Sequence, residues 1–94
     1  MAVNVVTWNL NQERSNYNNA RDEFTRHLER YDNVKDTGLE SVRFISTNQG
    51  ADQIKNFLFQ KLDTNDRLFV SRLNRGGHQG WLAKNVWEWI NARL

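Results

Sequence analysis

The sequence predicts an α+β domain, an antiparallel sheet backed by helices, on three observations. Short runs rich in β-branched and aromatic residues recur along the chain, two amphipathic segments of helical period lie between them, and a third apolar helical segment ends it. The opening run Val3–Asn9 carries apolar side chains on both faces, the pattern of a strand covered on both sides. A polar loop over 11–16 follows, in which Ser15 or Asn16 can cap a helix. Tyr17, Ala20, Phe24, Leu28 and Tyr31 then recur every three or four residues, predicting a helix over 17–30 with one apolar stripe. His27 lies beside that stripe and reads as a half-buried structural residue. Residues 34–39 and 41–47 read as two strands joined near Thr37-Gly38. Ala51, Ile54, Leu58 and Leu62 align a second helix over 51–62, with Thr47 or Asn48 able to cap it. Asp63–Asp66 forms a polar turn, and 67–73 is a strand centred on Leu68-Phe69-Val70.

The order β-α-β-β-α-β is that of the ferredoxin-like unit, whose antiparallel sheet has both helices on one face and strand order four-one-three-two. That order sets the fourth strand beside the first, running the other way. Asp63 and Asp66 then fall near the end of the sheet that carries Asn9, while Arg72, Arg75 and the glycine-rich loop fall at the far end. A C-terminal helix over about 82–94 completes the single domain, 1–94. Its face of Ala83, Val86, Trp87, Ile90 and Leu94 is widened by Leu82 and Trp89. An arc this broad implies a deep dock on the open sheet face or a contact shared between subunits, and a homodimer is the preferred reading.

A chain of 94 residues buries roughly 65% of its unfolded surface, so it has one modest core. The absence of cysteine excludes disulfides and thiolate metal sites. No leader-like or membrane-spanning apolar run is visible, and a cytoplasmic protein without a membrane partner is expected. Net charge is only +2, but it is uneven. Residues 67–94 carry Arg67, Arg72, Arg75, Lys84 and Arg93 against Glu88 alone, whereas residues 1–66 carry eight basic and ten acidic side chains. Ordinary solvated charge accounts for this, as does a phosphate-facing C-terminal third.

Two groups of residues have chemistry to offer. Arg72, Arg75, Gly76, Gly77, His78, Trp81 and Lys84 combine forked donors, exposed backbone amides and an aromatic ring suited to stacking on a base. Simple loop chemistry is the competing explanation, with Trp81 buried as a staple at the start of the last helix. The glycines lack the Gly-Lys-Ser/Thr ending of a phosphate loop. A metal-independent ribonuclease would use His78 with Arg75, but needs a second acid–base group that is not evident. Asn9 with Asp66, and Asp63 beside them, form the other group. Asp and Asn at 63, 65 and 66 equally suit a plain turn. There is no serine elbow, zinc-type histidine pair or dinucleotide fingerprint.

Taken in order, Val6-Thr7-Trp8-Asn9-Leu10-Asn11, Tyr17, Ser41-Val42 through Ile45-Ser46-Thr47, Gln53-Ile54, Leu62 through Leu68, and Gly80-Trp81 before the tryptophan-bearing helix resemble the CRISPR-associated protein 2 superfamily, which includes virulence-associated protein D relatives. The likeness spans nearly the whole chain and leans toward a short SinR-like branch. It implies a ferredoxin-like homodimer that binds RNA or DNA, acting as a metal-dependent nuclease, a ribonuclease toxin with an antitoxin, or a non-catalytic bridge to an integrase. In catalytic members an aspartate ends the first strand and helps hold Mg²⁺ in a cleft shared by two subunits. Asn9 occupies that position here, and a neutral amide attracts a divalent cation far less than a carboxylate. Trp8 replaces the family tyrosine, and a terminal helix replaces a fifth strand. The resemblance therefore implies a weak or lost endonuclease centred on Asn9 and Asp66, with a non-catalytic dimerisation or adaptor protein as the alternative.

Overall fold

The computed structural model describes residues 1–13 and 15–94, and position 14 of the expected loop 11–16 lies outside the described residues. The elements are β1 (Ala2–Asn9), α1 (Tyr17–Leu28), β2 (Asp32–Val34), β3 (Val42–Thr47), α2 (Ala51–Phe59), β4 (Arg67–Arg72) and α3 (Lys84–Arg93). The strands form an antiparallel sheet in the order β2-β3-β1-β4, the expected ferredoxin-like arrangement read from its other edge. β1 is central: Val5 lies opposite Phe44 of β3 on one side and Ser71 of β4 on the other. Among the described residues no helix is long and apolar enough to cross a membrane.

Strand alternation divides the apolar residues between two layers. Val6, Trp8 and Ile45 pack with Phe24, Leu28, Ile54 and Leu58 beneath α1 and α2, and Trp8 meets Phe24 with ring centroids 5.1 Å apart. Burial of each large apolar side chain contributes about 1.5–3 kcal/mol. On the opposite face Val3 and Phe44 pack against Val86 and Ile90 of α3. Of the two placements that the broad α3 face allowed, the docked one is present within the chain. The remainder of the arc is partly covered: Trp89 lies 4.2 Å beneath the Arg93 guanidinium, which also pairs with Asp32 at 3.0 Å. His27 is a core residue, stacked on Phe57 at 3.8 Å with Nε2 2.8 Å from the Phe57 carbonyl oxygen.

Several boundaries differ from the sequence reading, each for a local reason. α1 ends at Leu28, where the Arg30 and Tyr31 amides turn back to the carbonyls of His27 and Leu28. Similarly, α2 ends at Phe59 and tightens through three-residue closures as far as Leu62. Gly50 caps it in place of Thr47 or Asn48, its amide donating to Gln53 Oε1 at 2.8 Å. β2 lies earlier than the expected 34–39, because Asp36 turns the chain: its Oδ1 accepts the Gly38 amide at 2.8 Å, and its carbonyl accepts the Leu39 amide at 3.0 Å.

The second carboxylate oxygen of Asp36 reaches the far end of the chain and accepts the Ala83 amide at 2.8 Å. Ala83 is the residue before α3 and has no capping side chain of its own. Asp36 therefore caps α3 from another element, fastening it to the β2–β3 turn. The Ala83 amide, then the Gly38 amide, hold its carboxyl below the ordinary value. A depressed carboxyl stabilises the fold above its unfolded-state pKa, and that contribution is lost as pH falls through the folded-state value. Hydrogen-exchange protection of the α3 amides is thus expected to fall on acidification below the ordinary carboxylate range. Asp36→Ala should show reduced α3 protection already at neutral pH. Equal protection in the two proteins at pH 7 would exclude the cap.

Candidate nucleic-acid interface

Past β4 the Leu73 amide still bonds the Val3 carbonyl at 2.9 Å, after which the chain leaves the sheet and turns sharply. The Gly77 amide closes onto the Asn74 carbonyl at 2.9 Å, and Gly76 at the third position has φ +74°, a conformation that suits glycine. A tight turn thus explains Gly76-Gly77 without a phosphate. It presents Arg75, whose Nη2 donates to the Leu94 carbonyl at 2.6 Å. The turn also orients His78: Nδ1 lies 2.8 Å from the Asn74 carbonyl, so Nδ1 carries the proton and neutral His78 keeps its lone pair on Nε2. The imidazole lies nearly parallel to Trp87, centroids 6.2 Å apart. Arg75, Gly76 and His78 line a concavity of about 590 Å³ together with Trp87, Asn91 and Leu94. Among the described residues no carboxylate side chain or second imidazole lines it, so none of them supplies His78 with a side-chain partner for acid–base catalysis there.

Residues 78–82 then cross the open face toward β3, lining an apolar groove of about 380 Å³ with Val42, Phe44 and Leu73. Trp81 stands at this groove and is 99% exposed. The helix staple considered from the sequence does not form. Leu82 packs against the α3 layer, and Trp81 is left in solvent. Lys84 is exposed at the first position of α3. Arg72 does not join this surface. Leu68 and Val70 pack toward α1 and α2, so alternation puts Arg72 on their side of the sheet.

At the other end of the sheet, Asn9 is exposed and lies opposite Arg67, which puts Asp66 one residue beyond the β1–β4 register as expected. The Asp66 carboxylate is buried, and its oxygens accept the Asn11 amide at 2.8 Å and the Asp63 amide at 3.0 Å. Asp63 in turn accepts the Asn65 amide at 2.8 Å. These bonds fasten the β1–α1 loop to the α2–β4 turn, a role the Asp/Asn pattern had suggested only for the turn itself. Among the described residues no group of three or more aspartate, glutamate or histidine side chains could hold a metal ion. Asn9 is a neutral amide and adds no charge to a cation site at this end of the sheet.

Because hydrogen bonds to a charged acceptor contribute about 1.5–3 kcal/mol each, Asp66→Ala should lower unfolding free energy by at least about 2 kcal/mol. Urea denaturation measures this, and a change below about 0.5 kcal/mol would contradict the clamp.

Comparison of the chain with protein-family models, with curated proteins and with solved structures finds no match in any of the three.

Proposed function

We propose that the protein binds single-stranded RNA or DNA through the surface running from Arg75 past His78 to Trp81, with Lys84 at its margin. The observation that carries this reading is Trp81: an indole almost wholly in solvent, in the same connecting segment as Arg75, offers a face on which an unpaired base can stack, and the arginine farther back along that segment supplies a guanidinium for phosphate. Duplex is a poorer fit, since its bases are already stacked on one another. The resemblance to the CRISPR-associated protein 2 superfamily points to the same class of ligand.

A protein partner, with a second copy of this chain as the simplest, is the other reading. The apolar groove between residues 78–82 and β3 favours it, because an apolar surface flanked by an exposed tryptophan also suits a protein contact. In that case the chain is a dimerisation or adaptor module, and Trp81 serves association instead of stacking.

Fluorescence anisotropy with labelled 12-nucleotide RNA and DNA at low salt separates the two. Stacking contributes about 1–3 kcal/mol per base, so Trp81→Ala should weaken binding roughly 5- to 150-fold without lowering thermal stability. No binding at low salt, together with a sedimentation mass that Trp81→Ala shifts from dimer to monomer, would replace the first reading by the second. Cleavage is tested apart from binding. Asn9→Asp restores the family carboxylate and is expected to create or raise Mg²⁺-dependent cleavage of the same oligonucleotides. An unchanged rate would remove β1 from any catalytic role. Cleavage that survives chelation but is lost in His78→Ala would instead assign the metal-independent mechanism.

A further inference from the structure

The sheet has two edges, and the chain treats them differently. β2 forms one edge and spans only three residues, Asp32–Val34. Its first residue is charged and held by Arg93 at 3.0 Å, and Lys35 follows its last. A short edge carrying charge discourages pairing with another chain. β4 forms the other edge with six residues, Arg67–Arg72, all of them paired to β1. Between the two terminal arginines, Leu68-Phe69-Val70-Ser71 holds neither a charge nor a proline to blunt the edge.

Backbone alternation fixes which groups this edge offers. The Leu73 amide bonds the Val3 carbonyl at 2.9 Å, and the Trp8 amide bonds the Ser41 carbonyl, just before β3, at 3.2 Å. In an antiparallel ladder opposed residues are bonded at every second position. The odd-numbered residues of β1 and β4 therefore bond each other, and the N–H and C=O groups of Leu68 and Val70 point away from the sheet. The side chains of Leu68 and Val70 pack toward α1 and α2, which puts Phe69 on the opposite face. Phe69 is 63% exposed there, covered neither by α3 nor by the crossing segment. An open ladder and an exposed aromatic ring thus occur at the same place.

We propose that β4 pairs antiparallel with β4 of a second copy about a two-fold axis at Phe69, joining the two sheets into one. Opposed residues in a ladder share a face, so the axis must pass through a residue and not between two. With the axis at Phe69, Leu68 and Val70 exchange main-chain bonds with Val70 and Leu68 of the second copy. The two Phe69 rings then meet on the open face as a cross-strand aromatic pair, whereas an axis at Val70 would oppose each ring to Ser71. The same register sets Arg67 opposite Ser71, so no like charges are opposed. The strand complements itself in hydrogen bonding, in side chains and in charge, and a second copy is the occupant it fits. The edge shares no residue with the surface from Arg75 to Trp81 or with the apolar groove beside it, and stands or falls apart from both.

Sedimentation equilibrium of the intact chain, from roughly 10 µM to 1 mM, should show a monomer–dimer equilibrium. Phe69→Lys opposes two like charges at the axis while changing an exposed side chain, and should raise the dimer Kd at least about tenfold without lowering thermal stability. Trp81→Ala should leave that Kd unchanged. Hydrogen exchange followed by NMR locates the contact: the Leu68 and Val70 amides should gain protection as protein concentration rises. Since the chain has no cysteine, Phe69→Cys reports the register. Two residues at 69 would lie about 4.5 Å apart, within disulfide reach, and two at 67 about 14 Å apart. Under mild oxidation Phe69→Cys should therefore cross-link at least about ten times faster than Arg67→Cys. A monomer at every concentration, a dimer that Trp81→Ala dissociates and Phe69→Lys does not, exchange at Leu68 and Val70 that ignores concentration, or equal cross-linking rates would overturn the proposal. If Phe69→Lys does not fold, exchange in the unaltered chain decides.

Discussion

The architecture depends on a single constraint, the need to cover β1 on both faces and pair it on both edges. Val6 and Trp8 point one way, Val3 and Val5 the other, and the strand is hydrogen-bonded to β3 and β4 along its length. A strand of this kind is stable only when both of its faces are covered. The two crossover helices cover one face. The other is left to whatever follows β4, and α3 is recruited there by Val86 and Ile90, both buried against Val3 and Phe44.

That recruitment shapes the exposed surface. β4 ends at the edge of the sheet remote from β2, while the cap for α3 is held by Asp36, beyond β2. The connecting residues must therefore cross the sheet. Leu73 and Leu82 anchor the two ends of the crossing in the apolar layer. Between them the turn at Asn74–Gly77 and the extended run to Trp81 have little to pack against. The exposure of Trp81 is thus a consequence of topology: its neighbour Leu82 faces the layer, so the indole one residue earlier is turned out.

Elements whose apolar residues repeat at a clear period were legible in the sequence. β1, β3, β4 and the stripes of α1 and α2 come directly from side-chain alternation, and the strand order follows once the βαββαβ series is recognised. Residues acting at a distance were not legible. Asp36 stands in a segment that reads as a strand, and nothing near it in sequence shows that its carboxylate accepts the helix-capping amide of Ala83, 47 residues later. Asp66 was visible as a turn residue, yet its bond to the Asn11 amide spans 55 positions. Arg43 sits between Val42 and Phe44 with no local sign that its guanidinium would be buried against Glu29. Periodicity reports which face a side chain takes, and is silent on which backbone amide or carboxylate waits there.

The same limit applies to charge. The basic excess of residues 67–94 suggests one phosphate-facing patch, but the fold disperses it. Arg67 bonds the carbonyls of Thr64 and Asp66 beside Asn9, Arg72 takes the helix-covered side of the sheet, and Arg93 pairs with Asp32. Arg75 and Lys84 are what remains near Trp81. Two cations release few counterions, so a strand held on this surface would owe its affinity more to base stacking than to phosphate neutralisation, and salt would weaken it only modestly. Uneven charge along a sequence is therefore a poor guide to a binding surface until topology has distributed it. Here the almost fully exposed ring of Trp81, in a crossing segment that cannot bury it, is the more specific feature of the proposed surface.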